Sequence, residues 1–156
     1  MKTKISLIFI VIIFSLLTSC NDDVDDGDLT PVEFVLIGQG NLYGNGGENI
    51  EKQNLKINKS ADWNKLVDKM NSNNNVSDGF TEIDIDISEF MIIAVFDEVK
   101  GNGGHSIDIT RIEENNNKVF VTIENLLSGG AYTVMSQPYH IVKIPKNNKQ
   151  VIFEYR

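Results

Sequence analysis

Hydrophobic and polar positions alternate with a period of two along much of this chain, the pattern of strands with one face in a core. Residues 82–87 read Glu-Ile-Asp-Ile-Asp-Ile, so a strand there puts Ile83, Ile85 and Ile87 on one face and Glu82, Asp84 and Asp86 on the other. Residues 106–112 alternate again, with Ile107, Ile109 and Arg111 set against Ser106, Asp108, Thr110 and Ile112. The run 91–96 is almost continuously apolar and reads as a central strand buried on both faces. Apolar stretches at 32–37, 119–124, 131–135, 139–144 and 151–155 supply further strands, separated by Gly- or Asn-rich punctuation. Turns as short as 115–117 and 145–149 predict antiparallel neighbours. The period changes once: Trp63, Leu66, Val67 and Met70 fall at i, i+3, i+4 and i+7, behind a Ser60 cap and an Asp62 that complements the dipole. The expected fold is mainly β (α+β), an antiparallel sandwich or partly open barrel with one amphipathic helix near residues 60–70.

The N-terminal stretch obeys a different pattern. Lys2 and Lys4 precede an apolar run over 5–17, which as a helix spans roughly 20 Å, short of the ~30 Å hydrocarbon core of a bilayer. A basic start, a short apolar core and small residues before a break make a secretory signal peptide. The break is Leu17-Thr18-Ser19-Cys20, which resembles the lipobox of bacterial lipoproteins. That resemblance implies acylation of the Cys20 thiol and cleavage before it, so residues 1–19 are read as signal peptide and Cys20 as a lipid anchor to a membrane. Residues 21–30 carry five Asp, repel along their length and suit an extended tether, giving a tether over 20–30 and one β-rich domain over 31–156. An acidic stretch after the lipidated Cys also resembles the surface-export signal of some Gram-negative lipoproteins. The expected location is the outer membrane of a Gram-negative bacterium, with the periplasmic and the cell-surface face both open at this point.

Composition narrows the chemistry. The chain has 156 residues, 14 basic and 22 acidic, a formal charge of -8, one Cys and two His. Such a length fits one domain, and the acidic balance gives no footprint for nucleic acid. A single Cys excludes an internal disulfide. Asp22, Asp26, Gly27 and Glu33 fall on positions 1, 5, 6 and 12 of an EF-hand loop, but Val24 holds position 3 and Pro31 interrupts the loop. The Gly-rich stretch 38–47 lacks both the dinucleotide fingerprint and a Gly-Lys-Ser/Thr, and reads as a long turn after a strand. No cofactor and no metal site is expected. No Gly-x-Ser-x-Gly or His-Glu-x-x-His occurs, and His105 and Ser106 as strand neighbours point to opposite faces, so no catalytic residue is assigned.

Three segments together carry a family resemblance: Gly101-Asn102-Gly103-Gly104-His105-Ser106-Ile107, residues 119–123, and the stretch Ser136-Gln137-Pro138-Tyr139-His140 running on through Lys143-Ile144-Pro145. Their order and spacing over about 90–153 resemble the C-terminal domain of the protease-complex subunit PrcB family. Asn102 stands where that pattern usually has Thr, and His105 where it has Tyr. The resemblance implies a non-catalytic exported protein linked to assembly or maturation of an exported protease complex. A role of that kind calls for binding through loops and a strand edge, and the candidates for contact with a partner protein are Gly101, Asn102, Gly103, Gly104 and His105, with Ser128, Gly129, Gly130, Tyr139 and His140. His140 on an apolar face also suits a hydrogen-bonded structural role, and His105 suits either contact or plain loop. Two other classes stay open at this point: an Ig-like direct protease inhibitor presenting a Gly-rich wedge, and glycan or cation binding by the acidic faces and Asn-rich loops.

Overall fold

A computed structural model describes residues 27–43, 45–131 and 133–156. Its elements in chain order are β1 (Thr30–Pro31), β2 (Val35–Leu42), β3 (Gln53–Ile57), α1 (Ser60–Met70), a 3₁₀ turn (Val76–Gly79), β4 (Phe90–Phe96), β5 (Asp108–Glu114), β6 (Lys118–Glu124), β7 (Gln137–Pro145) and β8 (Gln150–Tyr155). They form two four-stranded sheets, β1-β5-β6-β8 and β2-β7-β4-β3, packed face to face as a sandwich, with α1 covering the outer face of the second sheet. The segment read as signal peptide, Cys20 and the part of the expected tether through Asp26 lie outside the described residues.

The second sheet is the middle layer. Met91, Ile93 and Val95 of β4 face the first sheet together with Val142 and Ile144 of β7. Ile92, Ala94 and Phe96, with Tyr139 and Ile141, face α1, where Trp63, Leu66, Val67 and Met70 supply the helical stripe. A strand buried on both faces has no polar side to show, which is why 91–96 reads as unbroken apolar sequence. The helix begins at Ser60 itself, with Lys59 in the cap position and no side-chain cap bond.

Several sequence expectations are corrected. Residues 82–87 are not a strand. The Asp86 carboxylate accepts from the Ser88 N–H and hydroxyl, and the Asp86 carbonyl accepts from the N–H groups of Glu89 and Phe90, so the segment satisfies itself by turns. Ile85 and Ile87 are still buried, whereas Ile83 is exposed and lends its carbonyl to Trp63 Nε1. The described residues of the expected strand 131–135 form none either; Ala131, Thr133, Val134 and Met135 are exposed loop. The Gly-rich stretch is partly strand, because β2 continues through Gly38 and Gly40 to Leu42. A Cβ on Gly38 would lie 2.5 Å from the Phe80 ring, and the register shift between Leu36 and Gly38 brings the strand against that ring. Strand β3 lies in a segment too polar for periodicity to reveal, since only Ile57 is fully buried.

Two departures concern pairing. A register shift between Ile109 and Arg111 in β5 sets both Ile109 and Ile112 into the core, against strict alternation. The last strand, β8, leaves its turn and pairs with β6 in the other sheet, in parallel, instead of folding back on β7. Strand β7 already has β2 on one side and β4 on the other, so its hydrogen-bonding edges are filled and β8 must go elsewhere.

Candidate functional site

The sequence-predicted contact loops meet at one end of the sandwich. The segment between β4 and β5 and the segment between β6 and β7 bridge at Lys100 with Ser136 and at His105 with Ser128. The Gly129 and Gly130 N–H groups donate to the carbonyls of Gly104 and Gly103, at 3.1 and 3.0 Å. Asn102 ties the pair with its side chain: Nδ2 donates to the Gly130 carbonyl at 2.9 Å and Oδ1 meets His105 Nε2 at 2.9 Å. Gly104 and Gly129 adopt φ of +83° and +91°, which a side chain would strain. Gly129 also lies under the His105 ring, since a Cβ there would sit 2.3 Å from Nε2. Gly101 is exposed and Gly103 is buried in the same turn.

A buried polar network fixes this turn pair to the sheets. Ser106 Oγ donates to Asp108 Oδ2 and accepts from the Leu127 N–H, while Gln39 Nε2 reaches Asp108 Oδ1 at 2.5 Å. The Leu126 N–H donates to the same carboxylate. Asp97, almost fully buried, holds the base of the loop: Lys52 and Lys100 each stand 3.0 Å from one of its oxygens, and its own amide neighbour Glu98 donates to Oδ1. Burial pushes the Asp97 carboxyl up, but the hydrogen bonds from Lys52 and Lys100 outweigh it and hold the group below the usual carboxylate range. Ser136 and Gln137 complete the anchor, through Ser136 Oγ to the Asn102 carbonyl and Gln137 Nε2 to the carbonyls of Ile50 and Asp97.

Tyr139 and His140 stand apart from the loops in role. Both are buried in β7. His140 Nδ1 accepts from the Ile109 N–H at 2.9 Å, which supplies a partner for a backbone donor that the two-residue β1 is too short to reach. Burial pushes the His140 pKa down, partly opposed by Asp108. Tyr139 closes the floor of a cleft of about 250 Å³ that Gln39, His105 and Leu127 also line. A second hollow of about 360 Å³ lies between Tyr43, Asn41, the Gly103–Gly104 backbone and Val134.

Exposed apolar side chains stand on the loops at this end, three of them, Tyr43, Leu127 and Val134, lining the hollows. Tyr43, Leu126, Leu127, Val134 and Met135 are between 41% and 62% exposed, five large hydrophobic side chains on the loops of one end. The Ser106 hydroxyl is engaged by a carboxylate and not by an imidazole, and His105 is engaged by an amide, so neither forms a nucleophile–base pair. Among the described residues no group of three or more His, Cys, Asp and Glu side chains converges as a metal site.

Residues 91–145 match the family model PrcB C-terminal. The match runs from β4 to the last residue of β7 and takes in both contact loops, while β1, β2, β3, α1 and β8 lie outside it. It coincides with the segment whose motifs carry the resemblance. No curated protein and no solved structure matches the chain.

The sequence missed Asp97, Gln39 and the exposed pairs Leu126–Leu127 and Val134–Met135. Gln39 carries no local signal, because its partner Asp108 is remote in the chain, and although Lys100 and Glu98 are close to Asp97 in sequence, its burial and its Lys52 partner come only from the fold. The two pairs are plainly apolar in sequence, but only the fold shows that they stand exposed.

Proposed function

We propose that this chain is a non-catalytic, lipid-anchored exported protein that binds another exported protein and assists assembly or maturation of a protease complex. What supports the binding role is the apolar end of the sandwich: five exposed large hydrophobic side chains set around a rigid glycine turn pair, in loops that the PrcB C-terminal match largely contains. Contiguous exposed apolar side chains on a folded domain mark interaction surfaces. The membrane attachment rests on Cys20 and the apolar run before it.

Two experiments test the two halves. Replacing Leu127 and Val134 together by Asp removes apolar contact area without touching the core, so thermal stability stays within a few degrees while co-purification of a defined exported partner is lost. Retention of the partner by the variant sinks the assigned surface. Cys20→Ala is expected to abolish acylation and release the protein from the membrane fraction. Unchanged membrane association of that variant counts against the anchor.

A further inference from the structure

The chain enters the domain at the end opposite the contact loops. Thr30 and Pro31 pair with Glu114 and Glu113, at the far end of β5 from Asp108, and Gly27 lies against Asn116 in the β5–β6 turn. The β7–β8 turn sits beside it, since Lys149 pairs with Glu114 at 3.1 Å. The contact loops join the strands at the other end, near Asp108, Glu124 and Gln137. Strand β7 alone, nine residues long, separates the two ends by about 26 Å at roughly 3.3 Å per residue.

We propose that the anchored domain presents its glycine turn pair away from the bilayer, to a folded extramembrane protein and not to lipid or to a membrane-embedded segment. The proposal rests on the lipid-anchor reading of Cys20. Cys20 is seven residues before Gly27, a reach of at most about 24 Å fully extended. Inverting the domain, so that Leu127 and Val134 touch the headgroups end-on, lifts the entry point at least the length of β7 above the membrane. That exceeds the reach of the tether before the loops themselves are added. The like charges of Asp22, Asp23, Asp25 and Asp26 further favour extension and resist collapse onto an anionic surface. End-on seating of the apolar loops on the anchoring bilayer is therefore out of the tether's reach, and the occupant we assign to them is a protein body that stands clear of the headgroups.

The test uses the full acylated chain in vesicles that carry a headgroup quencher. A fluorophore is attached to Asn116→Cys or to Ser128→Cys, each the sole free thiol once Cys20 is acylated. The expected result is several-fold stronger quenching at Asn116→Cys than at Ser128→Cys. Equal quenching, or stronger quenching at Ser128→Cys, with acylation of Cys20 confirmed by mass, overturns the orientation and leaves the anchor intact. A Cys20 without acyl mass overturns the anchor, and the orientation with it.

Discussion

A single imidazole shows how one side chain can complete a sheet edge. His140 extends from β7 to the Ile109 N–H of β5, in the other sheet, and as an acceptor at Nδ1 it must carry its proton on Nε2. Its folded-state pKa lies below the ordinary 6.5, chiefly through burial. A His held neutral in the fold binds its proton more readily when unfolded, so its contribution is complete above pH 6.5 and is lost as the pH falls from there toward the depressed value. The slope this one group adds is at most about 1.4 kcal/mol per pH unit. Urea titrations between pH 5 and 8 are expected to show that slope in the parent and its absence in His140→Gln, which keeps an acceptor for Ile109. His140→Leu leaves the amide buried without a partner and is expected to cost about 1–3 kcal/mol at pH 7.5. Asp97 acts in the opposite window. Its carboxyl is held below 3.8, so its contribution is present above that value and is lost as the pH falls through the folded-state one.

At the scale of elements, the two contact loops behave as one unit because glycine backbone and the Asn102 side chain join them. Gly129→Ala meets two penalties, a φ of +91° and the His105 ring. The first alone costs on the order of 1–3 kcal/mol. His105→Ala relieves the second and not the first, so the double variant is expected to lose less stability than the sum of the single changes, a coupling that a double-mutant cycle in urea measures. The strands β4, β6 and β7 and the helix α1 were legible because burial on one face, or on both, leaves a mark of period two, of 3.6 or of no period at all. The strand expected at 82–87 has the right alternation, but its Asp86 turn satisfies the backbone locally. Strand β3 has the free edge of β4 and lacks the alternation. Pattern reports which side chains want burial; whether the backbone bonds to a neighbouring strand or to its own turn decides which segments become strands. The same limit applies to the site, where the turns 101–105 and 128–130 were visible as glycine clusters but their mutual hydrogen bonds, and the Asp97 and Asp108 networks beneath them, link residues remote in sequence.

Across the whole molecule the two ends differ in kind: one receives the chain at Gly27 beside the Asn115–Asn117 turn, and the other carries the apolar loops. The fold class was readable from the sequence, and so was the antiparallel bias, but the parallel pairing of β8 with β6 was not, because it follows from β7 having both edges occupied. That central place of β7 also sets a clock. Its two neighbours, β2 and β4, come from early and middle parts of the chain, so the layer that carries both hydrophobic clusters cannot assemble until residues 137–145 are present to be inserted. Loop closure over such separations is slow, and refolding from urea is expected on the order of milliseconds to seconds in stopped-flow fluorescence of Trp63, against microseconds for a domain of local contacts. A nascent chain, made from its N-terminus onward, therefore keeps this middle layer open until residues 137–145 have been synthesised.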